Sequence, residues 1–385
     1  MNKALIPILG ITLVDVLGFT MLIPILPYYA EHFGASPLAV GAIYSTVAAF
    51  ALVFSPLWGR ISDRIGRKGV LLIAQSAAVV GFTTLAFANA LWVIFLARAI
   101  EGIGGGGLGV TQAYVSDVTT PEERSRAFGL VGATFGLGFL IGPAVAGVLV
   151  RYGYHVPLLA GAGLAVCTVL LTIFLLPESR QPVSTGASLA QIRVALQTPG
   201  LGTLLAAQAA FSFAFYCWIS IFALFVERVL GFGPSQSSSI FVVTSIVGII
   251  VQGFLIGRIT DRFGEGRVAI AGFAISIAAY AAVPVIGTVA ALFSMAVVWA
   301  LSGALIRPSL SALISRTAPA GLRGTLFGVN DSIGNAAFIV APLAATSVLS
   351  QNVHAVGFLP LGGAIVALAI GYRSFKIGPA ASAAA

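Results

Sequence analysis

The chain has 385 residues, 58% of them hydrophobic and only 8% charged, against about a quarter charged in an average soluble domain. A soluble fold has no interior large enough for that much apolar surface, whereas twelve membrane-crossing helices of about 20 residues would use about 240 positions and leave no room for a separate soluble domain. The net charge of +8 does not point to nucleic acid, because the basic residues fall in short clusters between apolar runs, without an aromatic-interleaved patch. Cys167 and Cys217 sit inside apolar runs, which argues against a disulfide framework or a metal site, and the 45 glycines and 18 prolines read as residues that membrane helices tolerate.

In chain order, apolar spans are predicted near 4–26, 40–58, 69–88, 91–114, 126–149, 157–176, 201–225, 236–257, 268–286, 289–313, 324–348 and 354–372, with ends good to a few residues. Lys3 ahead of the first run has the outline of a signal peptide. Asp15 interrupts that run and no small-residue cleavage site follows, so a retained helix is expected. With the N-terminus in the cytoplasm, 16 of the 20 Lys and Arg residues fall on the cytoplasmic side, two lie outside, and Arg98 and Arg307 fall within spans. That asymmetry sets the orientation and puts both termini in the cytoplasm of an inner-membrane protein. The longest polar connection divides the spans six and six, giving bundles at 1–176 and 200–376, a cytoplasmic linker at 177–199 and a disordered tail at 377–385.

The segment GRISDRIG at 59–66 recurs as GRITDRFG at 257–264, with six of eight positions identical. Phe128-Gly129 is echoed by Phe327-Gly328 and Pro143 by Pro342 at nearly the same offset. The halves therefore read as two six-helix units in the same orientation.

Three segments carry a resemblance. GRISDRIGRK at 59–68, Arg98 with Gly102, and GFLIGPAVAG at 138–147 resemble, in order, the second-to-third-helix loop, the fourth-helix motif and the fifth-helix antiporter motif of the major facilitator superfamily. LGFTMLIPILP at 17–27 resembles the first helix of its twelve-span drug/proton antiporters, and residues 113–143 resemble tetracycline/proton antiporters in particular. The resemblance implies an all-α membrane protein with the major facilitator fold, twelve transmembrane helices in two pseudo-symmetric bundles. It also implies a gate latch of Gly59, Asp63, Arg64, Gly66, Arg67 and Asp117, in which Asp63 faces the start of the eleventh helix near Gly324, where the positive end of the helix dipole favours a carboxylate, and Arg67 pairs with Asp117. Gly138, Gly142, Pro143 and Gly147 form the fifth-helix packing and bending element of proton-coupled exporters. GIGGGG at 102–107 fits a dinucleotide-loop pattern but lies in a membrane span with no strand before it, so no phosphate cradle is expected.

Ionisable residues within spans are costly, at least about 2.5 kcal/mol each at the bilayer centre when unpaired. There are five: Asp15, Arg98, Glu101, Arg307 and Asp331. At 1.5 Å per residue Asp15 lies near the midplane, and Arg98 and Glu101 are at depths that let all three share one cavity of the N-terminal half. Asp15 then titrates during transport with Arg98 setting its affinity, or else the two form a permanent structural pair. Glu101 joins the coupling set or neutralises Arg98 one turn away. The repeat places Ala214 and Val297 at the counterparts of Asp15 and Arg98, so folding does not require these charges. Arg307 and Asp331, at equal depth, pair with each other or face substrate.

The seventh span carries Phe211, Phe215, Trp218, Phe222 and Phe225 on one helical face, either as packing or as an aromatic wall for a flat, amphipathic or cationic compound. Phe19, Gln112, Phe211, Phe215, Trp218, Arg307, Asn330 and Asp331 are the candidate substrate contacts. The expected activity is export of a small hydrophobic, drug-like compound in exchange for protons by alternating access, with no cofactor, no metal and no enzymatic step, by a monomer in the bilayer that binds no nucleic acid. The absence of a span-nine acid, which tetracycline exporters carry, counts against tetracycline itself. An exporter of a metabolite, sugar or lipid is one alternative, and a non-transporting receptor or sensor is another.

Overall fold

The computed structural model describes residues 5–105, 107–179, 198–318 and 323–381, with the side chains at 108, 121–122, 124–126, 323–328, 331 and 377–381 excluded. All regular structure among the described residues is helical. The helices are α1 (Leu5–Leu22), α2 (Leu26–His32), α3 (Pro37–Ile65), α4 (Arg67–Ala86), α5 (Leu91–Ile103), α6 (Gly107–Asp117), α7 (Pro121–Leu149) and α8 (His155–Leu175). They continue as α9 (Leu201–Leu230), α10 (Pro234–Ile250), α11 (Ile256–Phe263), α12 (Glu265–Ala282), α13 (Val289–Thr317), α14 (Arg323–Gln351) and α15 (Phe358–Ala381). A π-helical turn, Val251–Leu255, joins α10 to α11, so the eighth span is continuous but locally widened.

Several starts are written in local chemistry. Ser36, Thr120 and Thr288 each accept a backbone N–H three residues on, and proline occupies the first helical position at Pro37 and Pro121, where its missing N–H costs nothing. Eleven helical stretches among the described residues are long and apolar enough to cross a membrane. The predicted fourth span is described as two helices, α5 and α6, on either side of a turn at Gly104 and Gly105, with residue 106 outside the described residues. Ser55 of α3 donates to the Gly105 carbonyl at 3.1 Å, and Trp58 Nε1 donates to the Ile103 carbonyl. These side chains satisfy backbone acceptors that the interrupted ladder releases, as the low-dielectric setting demands.

The expected loop at 59–68 is almost entirely helical. α3 runs on to Ile65, α4 begins at Arg67, and Gly66 alone breaks the ladder at φ 102° and ψ 158°. Gly264, between α11 and α12, adopts φ 80° and ψ 148°. That backbone is open essentially only to glycine, so the sequence repeat is also a conformational repeat. Gly34 and Gly231, which follow α2 and α9, are a second matched pair with positive φ.

The chain divides into two compact units, Met1–Gly186 with Phe232–Val242, and Ala187–Gly231 with Val243–Ala385. In the first, Leu5, Ile8 and Ile11 of α1 pack with Val70 and Leu71 of α4, Val110 and Tyr114 of α6, and Val131 of α7. In the second, Leu204, Leu205 and Phe211 of α9 pack with Phe273 of α12, Ile306 and Leu310 of α13 and Phe375 of α15. The predicted linker at 177–199 is described only at 177–179 and 198–199; of the tail expected to be disordered at 377–385, residues 377–381 instead continue α15, and 382–385 lie outside the described residues.

Candidate functional site

Asp15, on α1, faces the Thr168 hydroxyl of α8 and the Gln75 amide of α4. Three helices meet here because Phe82 of α4 packs on Gly18 of α1 and on Gly161 of α8, and going about two turns back along α4, one back along α1 and two forward along α8 brings residues 75, 15 and 168 together. Gln75 is 4% exposed, and neither polar atom of its side chain has a geometrically sound hydrogen bond among the described residues. Thr172, one turn beyond Thr168, is equally buried and its hydroxyl is also without a partner.

Arg98 is 2% exposed and forms an ion pair with Glu101 one turn along α5. Its other electrostatic neighbour is Tyr44 of α3, whose hydroxyl donates to the Ile23 carbonyl at 3.2 Å. Glu101 lies over Gly81 of α4, where any side chain would strike its Cγ. The expected single cluster is thus resolved into two sets. Asp15 has neutral polar neighbours, and Arg98 is neutralised by Glu101, one of the two roles open to that residue from the sequence.

At the junction of α3 and α4, Arg67 Nη1 lies 2.7 Å from Asp63 Oδ1 and its Nε 3.1 Å from Asp117 Oδ2. Arg67 also donates to Ser62 Oγ. Glu178, just past α8, accepts from the backbone N–H of Arg67 at 2.8 Å and of Ser179 at 3.0 Å, which caps the start of α4 where a carboxylate is favoured. A side chain at Gly66 would run into that carboxylate. Tyr114 Oη donates to the Pro177 carbonyl at 2.9 Å and Lys68 Nζ to the Ile173 carbonyl at 2.8 Å, so the end of α8 is tied to α4 and α6. The expected contact of Asp63 near Gly324 lies outside the described residues.

The second unit repeats the Arg67–Asp117 pair with the signs exchanged. Glu265 opens α12 as Arg67 opens α4, and Arg316 closes α13 as Asp117 closes α6; Arg316 Nη2 lies 2.7 Å from Glu265 Oε1. The two pairs are separated by 198 and 199 positions, the offset of the sequence repeat.

Of the seventh-span aromatics, Trp218, Phe222 and Phe225 are buried in the second unit's core, Trp218 edge-on to Tyr280. Phe211 is also buried, against Phe273. In this structure all four pack within the core, and Trp218 is fully buried. Phe215 differs. Trp299 of α13 stacks on it with centroids 5.7 Å apart, and the Arg307 guanidinium, two turns further along α13, sits 4.2 Å from the Phe215 ring centre and 6.0 Å from that of Phe211. Arg307 is exposed, and Gly303 between it and Trp299 has open space before it. Asn330 is half-buried, Phe19 exposed and Gln112 half-buried, while the side chain of Asp331 lies outside the described residues.

α7 lies directly against α1. Thr20 Oγ1 donates to the Gly138 carbonyl at 2.8 Å, and side chains at Gly138 and Gly142 would collide with Val16 and Thr20. Pro143 stands inside α7 without ending it. Gly147 packs on Ser238, and Tyr28 Oη hydrogen-bonds Ser237 Oγ at 2.6 Å, both within the first unit. No group of three or more His, Cys, Asp or Glu side chains that could hold a metal occurs among the described residues.

Against known proteins, the model of the Major Facilitator Superfamily matches residues 8–342. The chain belongs to that superfamily. It is 29% identical to the class D tetracycline resistance protein of Salmonella ordonez, over 91% of each chain. It is 26% identical to multidrug resistance protein 2 of Bacillus subtilis, over 88% of this chain and 86% of that one. Among solved structures, the human organic anion transporter MFSD10 (TETRAN) superimposes with a TM-score of 0.76, covering 97% of this chain and 99% of that one at 20% identity, which shows the fold. This member of the Major Facilitator Superfamily is thus an integral membrane protein of a family that transports small molecules.

Four contributors to the sites of this major facilitator were not singled out from sequence: Gln75, Thr168, Trp299 and Glu178. Gln75 carried a readable signal, being the one amide in the predicted span 69–88. Trp299 stands eight residues before Arg307 and so shares its helical face. Thr168 and Glu178 acquire meaning only once α4 and α8 are side by side.

Proposed function

We propose that the protein exports a small hydrophobic, drug-like compound in exchange for protons, with Asp15 as the titrating group. The observation that carries this reading is a carboxylate deep in α1 whose neighbours are the neutral Gln75 and Thr168. Holding a permanent ion pair would instead call for a cation at that place. In the outward-open state Asp15 takes a proton from outside. In the inward-open state substrate binding favours its release to the cytoplasm, so the two fluxes are opposed. The membrane potential contributes about 2.3 kcal/mol per charge per 100 mV, and no cofactor is needed. The Arg67–Asp63–Asp117 cluster, capped by Glu178, serves as the cytoplasmic latch that re-forms in each cycle. The full-length homologies to tetracycline and multidrug resistance proteins support the drug-export reading, as does the small-residue packing of α7 on α1. We place both termini in the cytoplasm and take a monomer as the working unit.

Asp15→Asn in the reconstituted protein is expected to abolish substrate-induced proton release while leaving substrate binding measurable. Proton release at the wild-type level in that variant would overturn the reading. Arg307 supports a second reading, because a guanidinium that is exposed while resting on Phe215 can meet an anionic, flat compound. Competition among tetracycline, a fluorescent organic cation and a fluorescent organic anion separates the two: loss of anion binding alone in Arg307→Gln favours the second.

A further inference from the structure

Gln75 presents a feature that the proposed exchange does not by itself explain. An amide taken from water into an apolar interior without hydrogen bonds is costly, and an amide side chain has two donors and two acceptor sites to satisfy. Gln75 is nonetheless 4% exposed with both atoms unpartnered in any fixed, well-formed bond, and it faces the carboxyl group of Asp15. It sits on α4, a different helix from Asp15, held in place by Phe82 against Gly18 and Gly161. Retaining such a residue at this depth calls for a task in which its hydrogen bonds change.

We infer that Gln75 is the positioning residue of the proton-coupling site, presenting its N–H to Asp15 when the carboxyl group is ionised and its C=O when the carboxyl group carries a proton. An ionised carboxylate only accepts, whereas the protonated form also donates. A group able to do both is needed beside a carboxyl that changes state without solvent, and rotation of an amide about its last torsion supplies it. Asp15 gives its proton to water and never to Gln75, because the amide does not ionise. Thr168 assists from α8: its hydroxyl donates to the Ala165 carbonyl at 2.8 Å, which leaves its oxygen lone pairs available to a proton on Asp15. Thr172 extends the polar strip one turn toward the cytoplasm, where its unpartnered hydroxyl offers a seat for a buried water.

No charged group among the described residues competes for this role. Of the elements packed on α1, α8 has only His155 at its start and the exposed Cys167, and α6 has Tyr114 and Asp117, engaged with Pro177 and Arg67. Glu122, Glu123, Arg124 and Arg126 stand in the first turns of α7. On α4 the charges are Arg67 and Lys68, at its cytoplasmic tip. Arg98 and Glu101 are committed to each other on α5.

The inference rests on Asp15 as the coupling group, but its test needs no substrate. In the purified full chain, infrared difference spectra taken across a pH titration report the carboxyl band of Asp15, identified as the band lost in Asp15→Asn. Replacing Gln75 by Leu removes the donor that favours the ionised form, so the midpoint is expected to move to higher pH by about tenfold in proton concentration, the size of one hydrogen bond to a charge. Gln75→Asn, which keeps both groups but sets them back by a methylene, is expected to give a smaller shift and covers the case in which Gln75→Leu does not fold. An Asp15 band that titrates unshifted in either folded variant overturns the role of Gln75 while leaving Asp15 as the coupling group. A shifted band together with undiminished proton release in Asp15→Asn would instead overturn the exchange mechanism and leave the Gln75–Asp15 pairing standing.

Discussion

Gly66 shows how much one residue can carry at the junction of two helices. Its φ of 102° and ψ of 158° lie where a Cβ is strained, and the space a Cβ would fill is taken by the Glu178 carboxylate. Gly66→Ala is expected to destabilise the first unit by about 1–3 kcal/mol, measured as earlier thermal unfolding of the purified protein. Removing only the cap, in Glu178→Ala, should cost about 1 kcal/mol, the usual worth of an N-terminal cap. At this scale the sequence was informative where a residue was out of place for its surroundings. Asp15, Arg98, Glu101 and Arg307 stand out in apolar runs because charge there is expensive. Whom each one meets was not legible, since α5 pairs Arg98 with its own Glu101 and leaves Asp15 to partners from α4 and α8. Those partners are neutral, and a neutral amide or hydroxyl raises no alarm in a hydropathy profile.

Among the elements, the contact of α1 with α7 depends on the absence of side chains at Gly138 and Gly142. Small residues permit the backbones to approach and let Thr20 reach across, as expected where van der Waals packing replaces the hydrophobic effect between helices. Gly142→Val would overpack this seam and is expected to cost about 1–3 kcal/mol, with reduced transport at a temperature at which the wild type is intact. The glycines marked α7 as a packing helix, but not α1 as its partner. The turn within the fourth span was not announced, because its 24 residues, mostly apolar and small apart from Arg98, Glu101 and Gln112, fit one crossing as well as two half-helices; the partners on α3, Ser55 and Trp58, distinguish them. The two repeat-related ion pairs also differ in worth. Arg67 and Asp117 are largely enclosed, with side chains 12% and 18% exposed, whereas Arg316 is 57% exposed and its pair with Glu265 is screened by water. Arg67→Ala should therefore lower stability measurably and Arg316→Ala hardly at all, in paired melting experiments.

Over the whole molecule, the repeat in the sequence predicted the repeat in the structure, down to the backbone of Gly66 and Gly264. The likeness holds for the scaffold and fails for the chemistry. Asp15 and Arg98 have Ala214 and Val297 as counterparts, and the aromatic and Arg307 cluster belongs to the second unit alone. The proposed division of labour, ion coupling in one unit and ligand contact in the other, predicts that Arg307→Gln alters which compounds compete without altering the Asp15 titration. Proton exchange at Asp15 also predicts that a protonophore stops uphill efflux in whole cells while ATP remains plentiful.

The interrupted fourth span has a mechanical corollary. The described ladder of α5 ends in a turn at Gly104 and Gly105, and α6 begins at Gly107. Arg98, Glu101 and Gly81 fix the segment before the turn, and Asp117 ends the segment after it. On the proposed latch reading, loss of the Asp117–Arg67 pair frees α6 at the end remote from those buried charges.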